Sequence, residues 1–161
     1  MKWHVLYIRS RTEKKLAEYS DKFGLHYYLP LRTETKIFQR RKVVVEKPVF
    51  PGYFFVRFNS DGKLLLQKTN HLVHIINVPN QRKFLHELAQ IRKALLIDSS
   101  LGACNPYEKG RIVKINSGPF QGIEGQINMV KPSGKILLNI DMIGQAVAVE
   151  VDKAYIKLLE R

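Results

Sequence analysis

The 161-residue sequence predicts an α+β fold, with helices packed against an antiparallel sheet, followed by a small five-stranded β-barrel. Strand and helix patterns alternate along roughly the first hundred residues, whereas helical periodicity is absent from the remainder. The charge also changes: residues 1–98 hold 19 Lys and Arg against 8 Asp and Glu, and residues 99–161 hold 8 against 6. We therefore predict a domain over residues 1–97, a linker over residues 98–108 and a second domain over residues 109–161.

The first strand and helix are predicted over residues 3–24. Residues 3–9 are rich in β-branched and aromatic side chains, which is typical of a strand. Residues 10–13 match a capping box, in which the Ser10 hydroxyl accepts a hydrogen bond from the Glu13 amide. Apolar residues then recur at helical spacing at Leu16, Tyr19 and Phe23. Gly24 can end this helix in the left-handed conformation.

Further strands are predicted over residues 26–29, 35–46, 53–58 and 73–78, the second of them interrupted by a basic tip at residues 40–42. A short helix is predicted near residues 64–69. Asn80 can cap a longer helix that ends near Ile97. The apolar side of this helix comprises Phe84, Leu85, Leu88, Ile91 and Leu95. The strands of the barrel are predicted over residues 111–115, 125–130, 136–141, 146–151 and 155–158.

Catalytic and metal-binding motifs are missing from the sequence. It has neither a phosphate-binding loop nor a nucleophile elbow, and Cys104 is its single cysteine. His71 and His74 are close in sequence, but their spacing alone fits no common zinc motif. No apolar run approaches the roughly 20 residues of a membrane-spanning helix. We therefore expect a cytoplasmic protein that is not an enzyme and needs no cofactor or metal.

The net charge of +13 favours a polyanionic partner, such as nucleic acid or an acidic surface. One group of cations follows the first strand and opens the first helix: Arg9, Arg11, Lys14 and Lys15. A second group surrounds the basic tip, which is predicted to be the tip of a hairpin: Lys36, Arg40, Arg41, Lys42 and Lys47. Side chains of this kind can neutralise phosphates with little sequence preference. The alternative is a solvated basic face that serves only solubility.

Residues 48–56 form an unusually aromatic strand entered through a turn at Pro51 and Gly52. Alternation places Tyr53 and Phe55 on one face of the strand, and Phe54 on the other. If the sheet is covered on one side only, the exposed aromatic face is a protein-docking surface. The alternative is a central strand that is buried on both faces.

Glycines at 118, 122 and 125 bend the chain tightly between two predicted barrel strands. Phe120 lies at the tip of this loop, where it is either a contact residue or a plug for the end of the barrel. Because no helix follows, the loop resembles a phosphate-binding loop only loosely.

Together these features resemble the NusG family of transcription elongation and antitermination factors. Residues 3–7, 13–15, 48–56 and 73–78 are similar to the NusG N-terminal domain, and residues 110–127 resemble a KOW motif. The resemblance implies an SH3-like KOW barrel at the C-terminus. It also implies a monomeric, non-enzymatic factor that binds RNA polymerase and suppresses pausing or termination.

The resemblance also implies roles for individual residues. An apolar patch that grips the clamp helices of the largest polymerase subunit would include Phe50, Tyr53 and Phe55. Upstream or non-template DNA would be contacted by Arg9, Arg11, Lys14, Lys15, Asn70 and His71. The KOW loop, through Phe120 and Ile123, would recruit the termination factor Rho or a small-subunit ribosomal protein.

Two other functions are compatible with the sequence. One is a KOW-type RNA- or ribosome-binding protein that acts in translation, and the other is a basic nuclease or nucleic-acid-modifying enzyme. The aromatic strand favours the transcription factor, because binding to ribosomal RNA needs no apolar docking face. The high charge of the first domain favours a specialised, operon-specific paralogue of the RfaH type. The glycines and β-branched residues of the second domain argue against its refolding as a helical hairpin.

Overall fold

The computed structural model describes residues 1–104, 110–128 and 134–159. The chain forms two compact units, one built from residues 1–30 and 50–82 and the other from residues 31–49 and 83–161. The elements follow in the order β1 (Lys2–Ile8), α1 (Glu13–Lys22), β2 (His26–Tyr28), β3 (Leu31–Phe38), β4 (Arg41–Pro48), β5 (Tyr53–Phe58), α2 (Ser60–Gln67), β6 (Leu72–Asn77), α3 (Gln81–Ile97), β7 (Ala103–Cys104), β8 (Ile112–Ile115), β9 (Glu124–Asn128), β10 (Gly134–Ile140), β11 (Gln145–Val151) and β12 (Ile156–Leu158). Within the described residues, no helix is both long and apolar enough to cross a bilayer.

The first unit is a four-stranded antiparallel sheet with the strand order β2-β5-β1-β6. Strand alternation sends Leu6, Phe54 and Val56 to one face, where Leu16 of α1 and Leu66 of α2 pack against them. This cluster confirms the predicted α+β arrangement of helices on an antiparallel sheet. The opposite face carries the alternate residues of β1 and β5.

The predicted capping box at residues 10–13 is wrong. Helix α1 starts at Glu13, its N-cap is Thr12, and neither Thr12 nor Ser10 caps it through its side chain. Arg11 has a φ of 63°, which turns the chain before the helix and removes Ser10 from the capping position. The end of the helix is as predicted, because Gly24 follows it with a φ of 68°.

Strands β3 and β4 form a two-stranded sheet of their own. Phe38 pairs with Arg41, so Gln39 and Arg40 form a two-residue turn with φ values of 48° and 65°. Positive φ at both turn positions matches the twist of a hairpin, although Asn-Gly is the usual sequence there. The strand predicted over residues 35–46 is therefore two longer strands, β3 and β4, and the basic tip predicted within it lies at their turn.

Helix α3 begins and ends close to the predicted positions, but its buried side differs in part from the predicted apolar side. Phe84, Leu88 and Ile91 are buried as predicted, and Ala94 joins them. Leu85 is exposed, because one residue along a helix turns the side chain by about 100° away from that of Phe84.

The remaining strands form an antiparallel sheet with the order β12-β8-β9-β10-β11-β7. All five predicted strands are present, and β7 is an additional strand in the predicted linker, paired with β11. Asp98, in the same segment, accepts hydrogen bonds from the amide and hydroxyl of Ser100. Residues 105–109 of the predicted linker lie outside the described residues, and the domain boundaries and SH3-like closure of the barrel stay predictions.

Gly125, at the end of the glycine-rich loop, is required by packing. A Cβ at this position would lie 2.6 Å from Cγ2 of Ile136 and 2.9 Å from the carbonyl oxygen of Leu137. Strand β9 can therefore approach β10 this closely only with glycine here.

Candidate functional site

The predicted DNA-binding residues come from two segments that the sheet brings together. Arg9 and Arg11 follow β1, and Asn70 and His71 precede β6. Because β6 pairs antiparallel with β1, these segments meet at one end of the sheet, where the Arg9 amide donates to the His71 carbonyl oxygen at 2.9 Å. We call this surface the basic rim; it comprises Arg9, Arg11, Lys14, Lys15, Asn70 and His71.

The backbone of the basic rim is held in an uncommon conformation. Arg11 and Asn70 both have left-handed backbones, with φ values of 63° and 59°, at a cost of about 1–2 kcal/mol for an L-residue without local support. The Arg11 amide donates to the Glu13 carboxylate at 3.1 Å, and the His71 amide donates to the Thr69 hydroxyl at 3.2 Å. Strained backbone conformations that are held by surrounding contacts, as these are, occur most often at functional sites.

The side chains of the basic rim project from this fixed backbone. His71 is partly buried, whereas the others are exposed: Arg9, Arg11, Lys14, Lys15 and Asn70. A fixed backbone with exposed cationic heads can bind phosphates at a defined place.

The aromatic strand differs from the predicted exposed patch. Phe50 and Phe55 are fully buried and meet edge to face, with ring centroids 6.3 Å apart, and Tyr53 is only partly buried. Phe54 is also buried, so β5 is covered on both faces, which was the alternative reading of its sequence. The expectation that Phe50 and Phe55 present an open surface is therefore wrong in this structure.

Tyr7 is an aromatic residue of this face that the sequence did not single out. It lies opposite Tyr53 in the β1–β5 register, their ring centroids are 5.5 Å apart, and 44% of its surface is exposed. Gly52 precedes Tyr53 with a φ of 87°, a backbone conformation that favours glycine. Alternation in β1 is the available signal, but the pairing partner of β1 is not readable from the sequence.

The two predicted contact residues of the KOW loop differ in their burial. Ile123 is buried, and its backbone hydrogen-bonds to Ile115 and Phe120, so it anchors the loop inside the fold. The partner contact that the family resemblance implies for Ile123 does not agree with this burial, because the loop closes back onto β8. Phe120 is partly buried and is the member of the pair that a partner could reach.

Polar side chains join α3 to the C-terminal sheet. Lys83 forms an ion pair with Asp141, and His86 lies 3.3 Å from the carboxylate of Glu124. The Gln90 side-chain carbonyl accepts from the Glu124 amide at 2.9 Å. These residues are scattered singly along the sequence, so no spacing could have predicted the cluster.

Glu87 is the unusual titratable group of this cluster. Burial raises its pKa from the ordinary 4.5 to about 7, and the carboxylate of Asp141 adds to the rise. The Asp141 amide, which donates to Glu87 at 3.2 Å, and the nearby Lys83 oppose it. Glu87 is therefore substantially protonated near neutral pH in the folded protein.

We expect Glu87→Gln to change how stability depends on pH. Between pH 4.5 and about 7 the unfolded chain releases the Glu87 proton while the folded protein keeps it, so the stabilisation from this group falls as pH rises. Urea midpoints from about pH 4 to pH 8 should thus shift progressively in favour of the Gln variant. Glu18→Gln, at an exposed position of α1, is the control, and parallel curves for wild type and Glu87→Gln would contradict the expectation.

Comparisons with known proteins identify the family. The family profile described as "Transcription termination factor nusG" matches residues 1–95. The chain is 23% identical to the transcription termination/antitermination protein NusG of Rickettsia prowazekii, with 96% of this chain and 88% of the relative covered. It is 24% identical to the NusG of Vibrio vulnificus, with 99% and 96% covered.

The fold is similar to that of a solved structure. The structure described as "Domain interaction in Thermotoga maritima NusG" matches with a TM-score of 0.51 and 21% identity, and covers 99% of this chain and 97% of that one. This likeness supports the α+β architecture. Because the family profile covers more than half of the sequence, the chain belongs to the NusG family of transcription termination/antitermination factors.

Proposed function

We propose that the protein is a transcription elongation and antitermination factor that acts by binding rather than by catalysis. Its sheet face around Tyr7 and Tyr53 docks on the clamp helices of the largest RNA polymerase subunit. Its basic rim contacts upstream or non-template DNA, and its KOW loop recruits Rho or a small-subunit ribosomal protein through Phe120. Pausing or termination is suppressed as a result, and the protein acts in the cytoplasm as a monomer.

The main support is the convergence of the basic rim. Arg9, the first of four cations within residues 9–15, is joined to His71, which follows Asn70, by the hydrogen bond between the Arg9 amide and the His71 carbonyl oxygen. Cations provide affinity for phosphates, whereas amide and imidazole groups can contact bases. The combination fits a DNA strand whose bases are accessible, as in an open transcription bubble.

The docking face is supported by its chemistry. Tyr7 and Tyr53 each present a large ring with a polar hydroxyl, and tyrosine is enriched where proteins bind one another. Phe50 and Phe55 lie behind them as buried supports: the Phe50 carbonyl oxygen accepts from the Tyr53 amide at 3.1 Å. We assign the contact to the tyrosines and the positioning of β5 to the two phenylalanines.

Replacement of Arg9 and Arg11 by Gln should flatten the salt dependence of DNA binding. Each phosphate contact contributes about 0.7–0.9 to the slope of log affinity against log salt, so the double variant should lose about one to two units. The measurement is a titration of labelled DNA at several salt concentrations, with the melting temperature checked for each variant.

The matched control replaces Arg92 and Lys93 by Gln, two exposed cations of α3 that remove the same charge elsewhere. Equal flattening by both pairs would show that net charge alone drives binding, and the basic rim would lose its assigned role. An unchanged salt slope for the Arg9 and Arg11 variant would also remove the role assigned to the basic rim.

A further inference from the structure

The end of the β3–β4 hairpin is exposed to an unusual degree. Every residue from 35 to 44 is exposed, including Ile37 at 78% and Phe38 at 66%. Val43 and Val44 are exposed as well. Apolar side chains concentrated on an exposed two-stranded ribbon favour association with a partner, so their exposure indicates a binding surface.

The charge of the same segment identifies the kind of partner. Residues 35–44 contain four cations and no carboxylate: Lys36, Arg40, Arg41 and Lys42. The pKa of Lys36 lies below its ordinary value because Lys47 hydrogen-bonds to it and repels its charge. A phosphate beside these side chains would relieve that repulsion. The hairpin end is thus complementary to a polyanion that also offers flat apolar surfaces.

The strand register places Phe38 among the cations. Phe38 lies directly opposite Arg41, and Lys36, two residues earlier, projects to the same face. Ile37 projects to the other face, opposite Lys42. An aromatic ring flanked by cations is the arrangement with which proteins bind unpaired nucleotides, through base stacking and phosphate contacts.

The base of the hairpin is fixed within its own unit. The Thr33 amide donates to the Ser99 carbonyl oxygen at 2.8 Å, and the Arg32 guanidinium donates to the Ser100 carbonyl oxygen at 3.2 Å. At about 3.4 Å per residue, the exposed part of each strand extends over a distance of several nucleotides. The hairpin can therefore present its end as a preformed element rather than fold on binding.

We infer that the end of the β3–β4 hairpin binds an unpaired strand of DNA or RNA, with Phe38 stacked on a base and Arg40, Arg41 and Lys36 on the phosphates. This site is separate from the basic rim and shares with the proposed function only the requirement that the protein binds nucleic acid. Duplex DNA, whose bases are already stacked, gains no stacking contact with Phe38.

The test compares Phe38→Ala with Ile37→Ala in the full chain. Fluorescence anisotropy measures binding of labelled oligothymidylate, oligouridylate and a duplex of equal length. In Phe38→Ala one base loses its stacking contact, so binding to the unpaired probes should weaken about tenfold. The salt slope of binding should not change, because no phosphate contact is removed. Ile37→Ala should bind as wild type does, Phe38→Trp should retain affinity, and duplex binding should not change. The two unpaired probes show whether DNA or RNA is preferred.

The cations are tested by replacing Arg40 and Arg41 with Gln, which should lower the salt slope on the unpaired probes by about 1.4. Equal losses in Phe38→Ala and Ile37→Ala, or no loss in either, would overturn the inference. So would a Phe38→Ala variant that binds the probes normally but no longer captures polymerase, because the hairpin would then contact protein.

The same titrations separate this inference from the proposed function. If binding by the Arg9 and Arg11 variant becomes less dependent on salt while the hairpin variants bind as wild type does, the DNA-binding role of the basic rim is supported and the hairpin site is wrong. The reverse result keeps the hairpin site and removes the basic rim. A wild-type protein that binds none of the probes contradicts both.

Discussion

Phe55→Ala is expected to lower the free energy of unfolding by about 3–5 kcal/mol. Phe55 is fully buried and lies between Val5 of β1 and Tyr28 of β2 in the register of the central sheet. Removal of its ring leaves a cavity that these strands cannot fill without breaking their hydrogen bonds, so both the burial and the packing contacts are lost. Urea denaturation monitored by circular dichroism measures the change.

Tyr53→Ala is the matched control for that experiment. It removes an aromatic ring from the same face of the same strand, two residues away, but from a position that is only partly buried. We expect it to cost clearly less stability than Phe55→Ala. Equal costs, or a Phe55→Ala protein as stable as wild type, would mean that Phe55 faces solvent and belongs to the open patch predicted from the sequence.

Local sequence patterns predict only part of the basic rim. Arg9, Arg11, Lys14 and Lys15 could be grouped because they are neighbours in sequence at a strand–helix junction. Only the family resemblance associates Asn70 and His71 with this group, since the β1–β6 pairing that brings His71 to Arg9 joins segments about sixty residues apart. Strand pairing of that range depends on the complete sheet, which hydrophobic alternation in one strand does not specify.

The sequence does not fully predict the aromatic strand or the hairpin, for related reasons. Alternation correctly divides the residues of β5 between two faces, but it contains no information on whether a face is covered. The exposed patch with Phe50 and Phe55 is implied only by the family resemblance, and both residues are buried. In the hairpin, the turn at Gln39 and Arg40 lacks the glycine or asparagine that usually marks positive φ. The sequence therefore predicts a hairpin tip near residues 40–42 but gives neither the position of the turn nor the length of the two strands.

The polar contacts between α3 and the C-terminal sheet cannot be predicted from the sequence. Glu87, Lys83 and Asp141 have no common spacing, and only the packing of the helix on the sheet makes them neighbours. In contrast, the sequence predicts a loop motif that includes Gly125, and the structure gives the physical reason for this glycine, because a side chain there would collide with β10.

Tyr7→Ala and Tyr53→Ala are each expected to weaken binding to RNA polymerase by about thirtyfold, since truncation of a central interface aromatic commonly costs about 2 kcal/mol. The two rings are in contact, with centroids 5.5 Å apart, and form one surface. Their effects should therefore be less than additive in the double variant. Affinity is measured against purified core polymerase, with melting temperatures recorded to confirm that each variant is folded.

Phe23→Ala, at an exposed aromatic residue that follows α1, controls for the general loss of an aromatic side chain. It should leave polymerase affinity unchanged. The Arg9 and Arg11 variant should also retain polymerase binding, because the basic rim is assigned to DNA. If Tyr7→Ala and Tyr53→Ala bind polymerase like wild type while remaining folded, the docking face is misassigned and polymerase must be held by another surface. If the two effects add fully, the rings contact polymerase independently rather than as one surface.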